Sequence, residues 1–160
     1  MPQKAMAMSA PEHPKIIAFA SYIGAVRDGK QVADRKDINP AEIRPFLPHI
    51  MILDIVDGGL DFSVRIFGTE LVTLLGEERT GLLASQFGSR TNIETDHAKL
   101  RRRWFRLFET THKNGEILYF KTPTVTPNRA FMHYHGAFAP LTNGGQDIAQ
   151  LIGIMVAVTD

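Results

Sequence analysis

The chain has 160 residues, 44% hydrophobic and 22% charged, with a formal net charge of +1. That fits one globular domain with a buried core and no global field to draw it onto nucleic acid or anionic lipid. It has no cysteine, which excludes disulfides, thiolate metal sites, cysteine nucleophiles and cysteinyl–flavin adducts. The opening MPQKAMAMSAPEHP has one lysine and no apolar core of signal-peptide length, and no run reaches the roughly 20 apolar residues of a membrane span. Residues 1–14 are expected as a mobile arm, and the protein as cytoplasmic. Internal repeats are not evident.

In residues 15–29, Ile16, Phe19, Ala20, Ile23 and Val26 fall at helical spacing, with Pro14 suited to the start and Gly29 to the end. A polar connector, KQVADRKD, follows. Asn39 can then cap a helix, with Pro40 in its first turn and Glu42 placed to complete a capping box. Pro45 and Pro48 keep that helix short, since neither offers an N–H. Ile50 to Val56 reads as a strand and Asp57-Gly58-Gly59 as a tight turn. Beyond it Leu60, Phe62, Val64 and Ile66 alternate with Asp61, Ser63, Arg65 and Phe67, which predicts a half-buried partner strand.

Thr69 can cap a short helix carrying Leu71, Val72, Leu74 and Leu75, ended by Gly76. Residues 77–95 read as loop with short helical turns. A longer helix over 96–113 places Leu100, Trp104, Leu107, Phe108 and Thr111 on one stripe, with Arg101, Arg102, Arg103 and Arg106 on its other side. Three strands follow, 116–125, 130–139 and 148–159. Thr126-Pro127-Asn128-Arg129 and Thr142-Asn143-Gly144-Gly145 supply their turns. Consecutive hairpins at both ends predict an α+β fold: an antiparallel sheet of about five strands, helices on one face, and an N-terminal helix.

Five short motifs occur in order: Asp37-Ile38-Asn39-Pro40, Leu47-Pro48-His49, Arg65-Ile66-Phe67-Gly68-Thr69, Thr80-Gly81 and Pro140-Leu141. With the element order, they resemble a bacterial PAS subfamily of small stand-alone proteins, found mainly in alphaproteobacteria and long carried as a domain of unknown function. The resemblance covers about residues 20–156 and departs over 116–134. It implies one PAS-like domain over 15–160, with 15–29 as its flanking helix. It also implies a sensory or interaction module, a ligand held between the helices and the concave face of the sheet, and dimerisation through the N-terminal helix. Members lack an attached kinase or cyclase, so a signal would pass by contact with a partner, and 160 residues leave no room for an output domain.

His133 and His135 share one face of a strand, a spacing that can hold a metal if a third ligand joins. No Asp or Glu stands at such a spacing, so no metal is expected. Depending on that face, the pair lines a pocket or stands in solvent. His97, near the start of the long helix, raises haem; a lone histidine beside a cap is more often a polar first-turn residue, and haem is not expected. Arg65 can pair with Asp54 or Glu70, or meet an acidic ligand by bidentate contact. The run Arg101-Arg102-Arg103-Trp104-Phe105-Arg106 invites a nucleic-acid reading, but Trp104 belongs to the apolar stripe, which leaves the arginines as a solvated face. Asp54 and Asp57 lie on opposite strand faces and make no acid–base pair.

The leading expectation is a PAS-type sensor or adaptor that binds a small molecule, a signalling partner, or both, without a readable cofactor. Its pocket would be lined by Arg65, Val72, Leu75, Trp104, Phe108, Tyr119, His133, Tyr134, His135 and Met155, residues that a well-filled core would also use. One rival is a small isomerase- or hydratase-like enzyme with His133 or His135 as base. Another is a ligand-free docking domain that forms homodimers through Ile16, Phe19, Ile23 and Val26. Those four residues could equally pack back on their own sheet.

Overall fold

A computed structural model describes residues 5–91, 96–124 and 132–159. The turn expected at 126–129 and the first residues of the strand expected from Ala130 lie outside the described residues. Helix α1 spans Pro14–Arg27; His13 caps it, its Nδ1 accepting the Lys15 N–H at 3.1 Å, and Asp28 ends it in the left-handed region. Strand β2 (Ala33–Asp34) and a 3-10 turn lead to the short helix α2 (Pro40–Ile43), whose cap Asn39 accepts the Ala41 N–H at 2.9 Å. Glu42 does not close a capping box there. It accepts the Tyr22 hydroxyl, which in turn accepts the Asn39 N–H, so Tyr22 ties α1 to α2. A 3-10 segment, Arg44–His49, contains both prolines and delivers the chain into β3 (Ile50–Val56).

Strand β4 (Asp61–Phe67) pairs antiparallel with β3; then come α3 (Thr69–Leu75), α4 (His97–Asn114), β5 (Leu118–Pro123), β6 (Met132–Thr142) and β7 (Ile148–Thr159). Gly68, not Thr69, is the cap of α3. A Cβ on Gly68 would collide with the carbonyl oxygens of Leu47 and Pro48, and its N–H donates to the Ile50 carbonyl at 2.8 Å. Two of the sequence motifs therefore meet at one close backbone contact.

With Met6–Met8 as β1, the described residues form one seven-stranded sheet, ordered β1-β5-β6-β7-β3-β4, with β2 parallel beside the end of β6. The expectation of about five strands is corrected by β2 and by β1. The expected arm is corrected at Met6–Met8, which form β1 on the edge of β5. That edge offers unpaired backbone groups, and an added strand satisfies them.

The sheet is covered on both faces. Against one face pack α3 and α4, enclosing Met51, Leu53, Phe62, Val64, Phe67, Trp104, Phe108, Phe120, Tyr134, Phe138, Leu151 and Met155. On the other, α1 and α2 bury Ile16, Phe19, Ile23 and Ile43 against Ile50, Ile52, Ala137, Ala139, Ile152 and Ile154. The alternation read over 60–67 fails at Arg65. Ile66 pairs with Ile52 and Val64 with Leu53, so Arg65 is the extra residue of a β-bulge. The bulge turns Phe67 onto the face of Phe62 and Val64, sends Ile66 to the α1 side and leaves Arg65 exposed.

Candidate functional site

The space between helices and sheet, where a pocket was expected, is packed with rings. Phe120 and Phe138 stack with centroids 5.2 Å apart and 11° between planes, and Phe108 meets Phe138 edge-on at 5.2 Å. Phe87 and Trp104 close against Phe108 at 6.1 and 6.2 Å. Gly136 and Gly153 make this possible. Each lies opposite a phenylalanine on the neighbouring strand, and a Cβ on either would run into that ring. Leu75, Trp104, Phe108, Tyr134 and Met155 are buried in this core and Val72 packs against it. The Tyr134 hydroxyl donates to the Leu74 carbonyl at 2.7 Å.

The other four expected lining residues are elsewhere. Tyr119 packs with the α1 cluster, where burial pushes its phenol up. His133 and His135 alternate with Tyr134 and so also face the α1 side. Their Nε2 atoms are 3.1 Å apart, in hydrogen-bond contact. Burial, reinforced by His133, pushes the His135 imidazole down. Arg65 holds Asp54 through Nη2 at 2.8 Å and Nε at 2.9 Å on the surface, and Gln150 donates to the same carboxylate at 2.8 Å. The ten residues therefore divide between two faces of the sheet, and no single pocket unites them. The expected dimer face is corrected too: Ile16, Phe19 and Ile23 are 1%, 0% and 3% exposed against their own sheet, with Val26 half-buried beside them.

Residues 77–91 hold a buried ion pair that the sequence reading missed. Glu77 and Arg79 meet at 2.9 Å with side chains 0% and 2% exposed. The carboxylate also accepts the backbone N–H groups of Gly88 and Arg90, while the guanidinium lies 4.3 Å from the centre of the Phe87 ring. The pair fastens the loop onto the core.

An open site lies at the edge of the sheet. A groove of about 350 Å³ runs between α4 and the β1–β5 edge, lined by Ala5, Ala7 and Leu118 on one side and by Lys99, Arg102, Arg103, Arg106, Leu107 and Thr110 on the other. The α4 residues recur at helical spacing and form one face. No carboxylate among the described residues lines the groove. Arg103 is 9% exposed and its Nη1 donates to the Pro123 carbonyl at 2.6 Å. Burial pushes its guanidinium down from the usual arginine range. Arg102 and Arg106 are exposed and form no ion pair among the described residues. Such a surface can receive an anion while offering it an apolar floor. Among the described residues, no three His, Asp or Glu side chains converge as metal ligands, and no helix is long and apolar enough to cross a membrane.

The sequence model of one family, described as PAS domain, matches residues 11–156. The chain belongs to the PAS domain family. No curated protein matches it closely enough to count as a relative. Among solved structures, an RNA-binding light–oxygen–voltage receptor shares the fold at 15% identity and TM-score 0.50, over 99% of this chain and 39% of that one. A light–oxygen–voltage domain studied with a flavin analogue matches at 14% identity and TM-score 0.48, over 75% of this chain and 84% of the other. The light–oxygen–voltage domain of a blue-light activated histidine kinase from Erythrobacter litoralis EL346 gives 16%, 0.42, 70% and 96%.

Within this PAS domain the groove escaped the sequence reading because one wall is β1, taken there for a mobile arm. The signal was present. Met6-Ala7-Met8 alternates large and small side chains, the pattern of a strand with a small residue on one face.

Proposed function

We propose that this PAS domain is a sensory or regulatory module of signal transduction that recognises a small ligand in the groove between α4 and the β1–β5 edge. The observation that carries this is a contrast between two places. The space behind α4 is filled by Phe108, Phe120 and Phe138, whereas the groove beside α4 is open and lined by cations. Helix α4 lies against β4, β5, β6 and β7, so a ligand drawing on its outer face would act on an element that touches four strands of the sheet. The enzyme reading gains no support, since the Nε2 atoms of His133 and His135 engage each other.

The test is native against denaturing mass spectrometry of the freshly purified protein and of Ala7→Phe, which narrows the groove without touching a charge. An excess mass on the native protein, released on denaturation and missing from Ala7→Phe, is expected. Equal excess mass on both proteins would place recognition elsewhere.

A further inference from the structure

The groove has a chemistry specific enough to name its ligand class. We infer that it holds a small organic polyanion, a compound with two or more phosphate or carboxylate groups on an apolar body. The inference rests on the reading of the groove as the recognition site and adds what is recognised there.

Charge comes first. Lys99, Arg102, Arg103 and Arg106 fall within eight residues of α4, a stretch whose ends are about 10 Å apart along the axis at 1.5 Å per residue. They form two like-charged pairs one turn apart, Lys99 with Arg103 and Arg102 with Arg106, an arrangement that weakens a helix. Lys99 also lies in the first turn, where the helix dipole disfavours a cation. Among the described residues, the ion pair of Glu109 with Lys113 on this helix stands outside the groove. Four cations held against these costs on one wall make a site for negative charge. Because the cations are spread along the axis, more than one anionic group fits better than a single one.

Rigidity comes second. Arg103 is buried and fixed on the Pro123 carbonyl. A guanidinium that is already desolvated and positioned gives up less on binding, and its planar fork suits phosphate or carboxylate oxygens. Arg102 and Arg106 stand exposed one turn apart to complete a clamp.

The floor decides that the anion is organic. Leu107, Leu118, Ala5 and Ala7 are apolar, and an inorganic ion would leave them uncovered. The two alanines, one in β1 and one just before it, leave the room that larger side chains would fill. A volume of about 350 Å³ suits one small molecule rather than a polymer track. Stacking groups for nucleic-acid bases are missing from this helix face as well: Trp104 is 2% exposed, and Phe105 packs on Phe62 at 5.5 Å.

The experiment is calorimetric titration of the full chain with ADP, inorganic pyrophosphate, citrate, adenosine and a single-stranded RNA oligomer, at low and moderate salt. ADP is expected to bind, more weakly as salt rises, and pyrophosphate less tightly because it covers no floor; adenosine is expected not to bind. The double variant Arg102→Gln/Arg106→Gln, at two exposed positions that leave the core untouched, should weaken ADP by roughly tenfold or more. Ala7→Phe should weaken it at unchanged charge, with a thermal melt run alongside to show that the sheet is intact. Silence from ADP, pyrophosphate and citrate at millimolar concentration overturns the inference, as does affinity unchanged in the double variant. Binding of the RNA oligomer without any small anion overturns it in favour of a nucleic-acid surface. An excess mass lost in Ala7→Phe but kept in the double variant would overturn the polyanion and leave the groove as the recognition site. Loss of both the excess mass and all titrated binding would remove the two readings together.

Discussion

Glu77 and Arg79, two residues apart in a loop, form an ion pair 2.9 Å long with side chains 0% and 2% exposed. Desolvating two charges is costly, and this pair is stable because its remaining capacity is used. Glu77 takes two backbone N–H groups, and Arg79 lies over the Phe87 ring. Removing one member strands the other in the core. Arg79→Met should therefore lower unfolding stability by about 3–5 kcal/mol, with Glu77→Gln in the same direction. The double variant Glu77→Gln/Arg79→Met should cost less than the sum of the two. Urea denaturation measures all three, and additive losses would mean that the pair does not act as a unit.

The same region sets a pH limit. Burial alone would raise the Glu77 pKa, but the N–H groups of Arg90 and Gly88 and the Arg79 guanidinium outweigh it and hold the carboxyl below the usual range. Asp34, which ties β2 to the β6–β7 turn, is held at about 2 by N–H donation from Gly144 and Lys36 and by the Thr142 hydroxyl. Both folded pKa values lie below the unfolded ones, so both contributions are present above about pH 4 and are lost as pH falls below it. Stability should drop steeply from about pH 4 towards pH 2. Asp34→Asn should flatten that slope, and a slope unchanged in this variant would show that Asp34 does not contribute.

Arg65 separates two readings of one residue. As a pocket residue it would control ligand affinity; as the bulged residue of β4 paired on the surface with Asp54, it contributes little. Arg65→Ala should leave unfolding stability nearly unchanged in denaturation, since exposed ion pairs are screened by water. It should leave any groove ligand bound. A loss of ligand mass in the native spectrum of this variant would contradict the geometry.

Much of this fold could be read from the chain. The limits of β3 and β7 match the strands read from their apolar runs and turns, and α4 is displaced by one residue. Facing was harder. Period two assigns sides only until a bulge, and nothing in Ser63-Val64-Arg65-Ile66 marks Arg65 as the extra residue. The same limit put Tyr119, His133 and His135 in a pocket with Trp104, because side is relative until a neighbouring strand fixes it. The filled interior was illegible for another reason: the aromatic residues that line a cavity also fill one. What decides is Gly136 and Gly153 standing opposite Phe120 and Phe138, a pairing set by register across strands. The Glu77 contacts with Gly88 and Arg90, closed over 11 and 13 residues of loop, have no periodic signal at all.

Phe19 tests where α1 belongs. It is fully buried on its own sheet and meets Phe46 edge-on at 6.2 Å. Phe19→Ala should therefore destabilise the single chain by about 3–5 kcal/mol, and Phe19→Asp should unfold it. Denaturation combined with sedimentation distinguishes the outcomes. A folded, stable monomer from Phe19→Asp, where the parent is a dimer, would mean that the residue serves an interface between copies.

The interior makes the last prediction. Phe138 occupies the space that a Cβ on Gly153 would need, and it stacks on Phe120. Gly153→Ala in the parent forces the ring aside and should cost about 1–3 kcal/mol. Phe138→Ala removes the ring and leaves an apolar void behind α4, at about 3–5 kcal/mol. Together the two changes should cost less than their sum, because the methyl at position 153 then enters space that the ring has left. That negative coupling is the signature of a shared volume. The void in Phe138→Ala should also admit a small apolar molecule such as benzene, as dry engineered cavities do, seen as a rise in melting temperature absent from the parent. Additive costs, or a parent that binds benzene as well as the variant does, would mean that the space between helices and sheet is open after all.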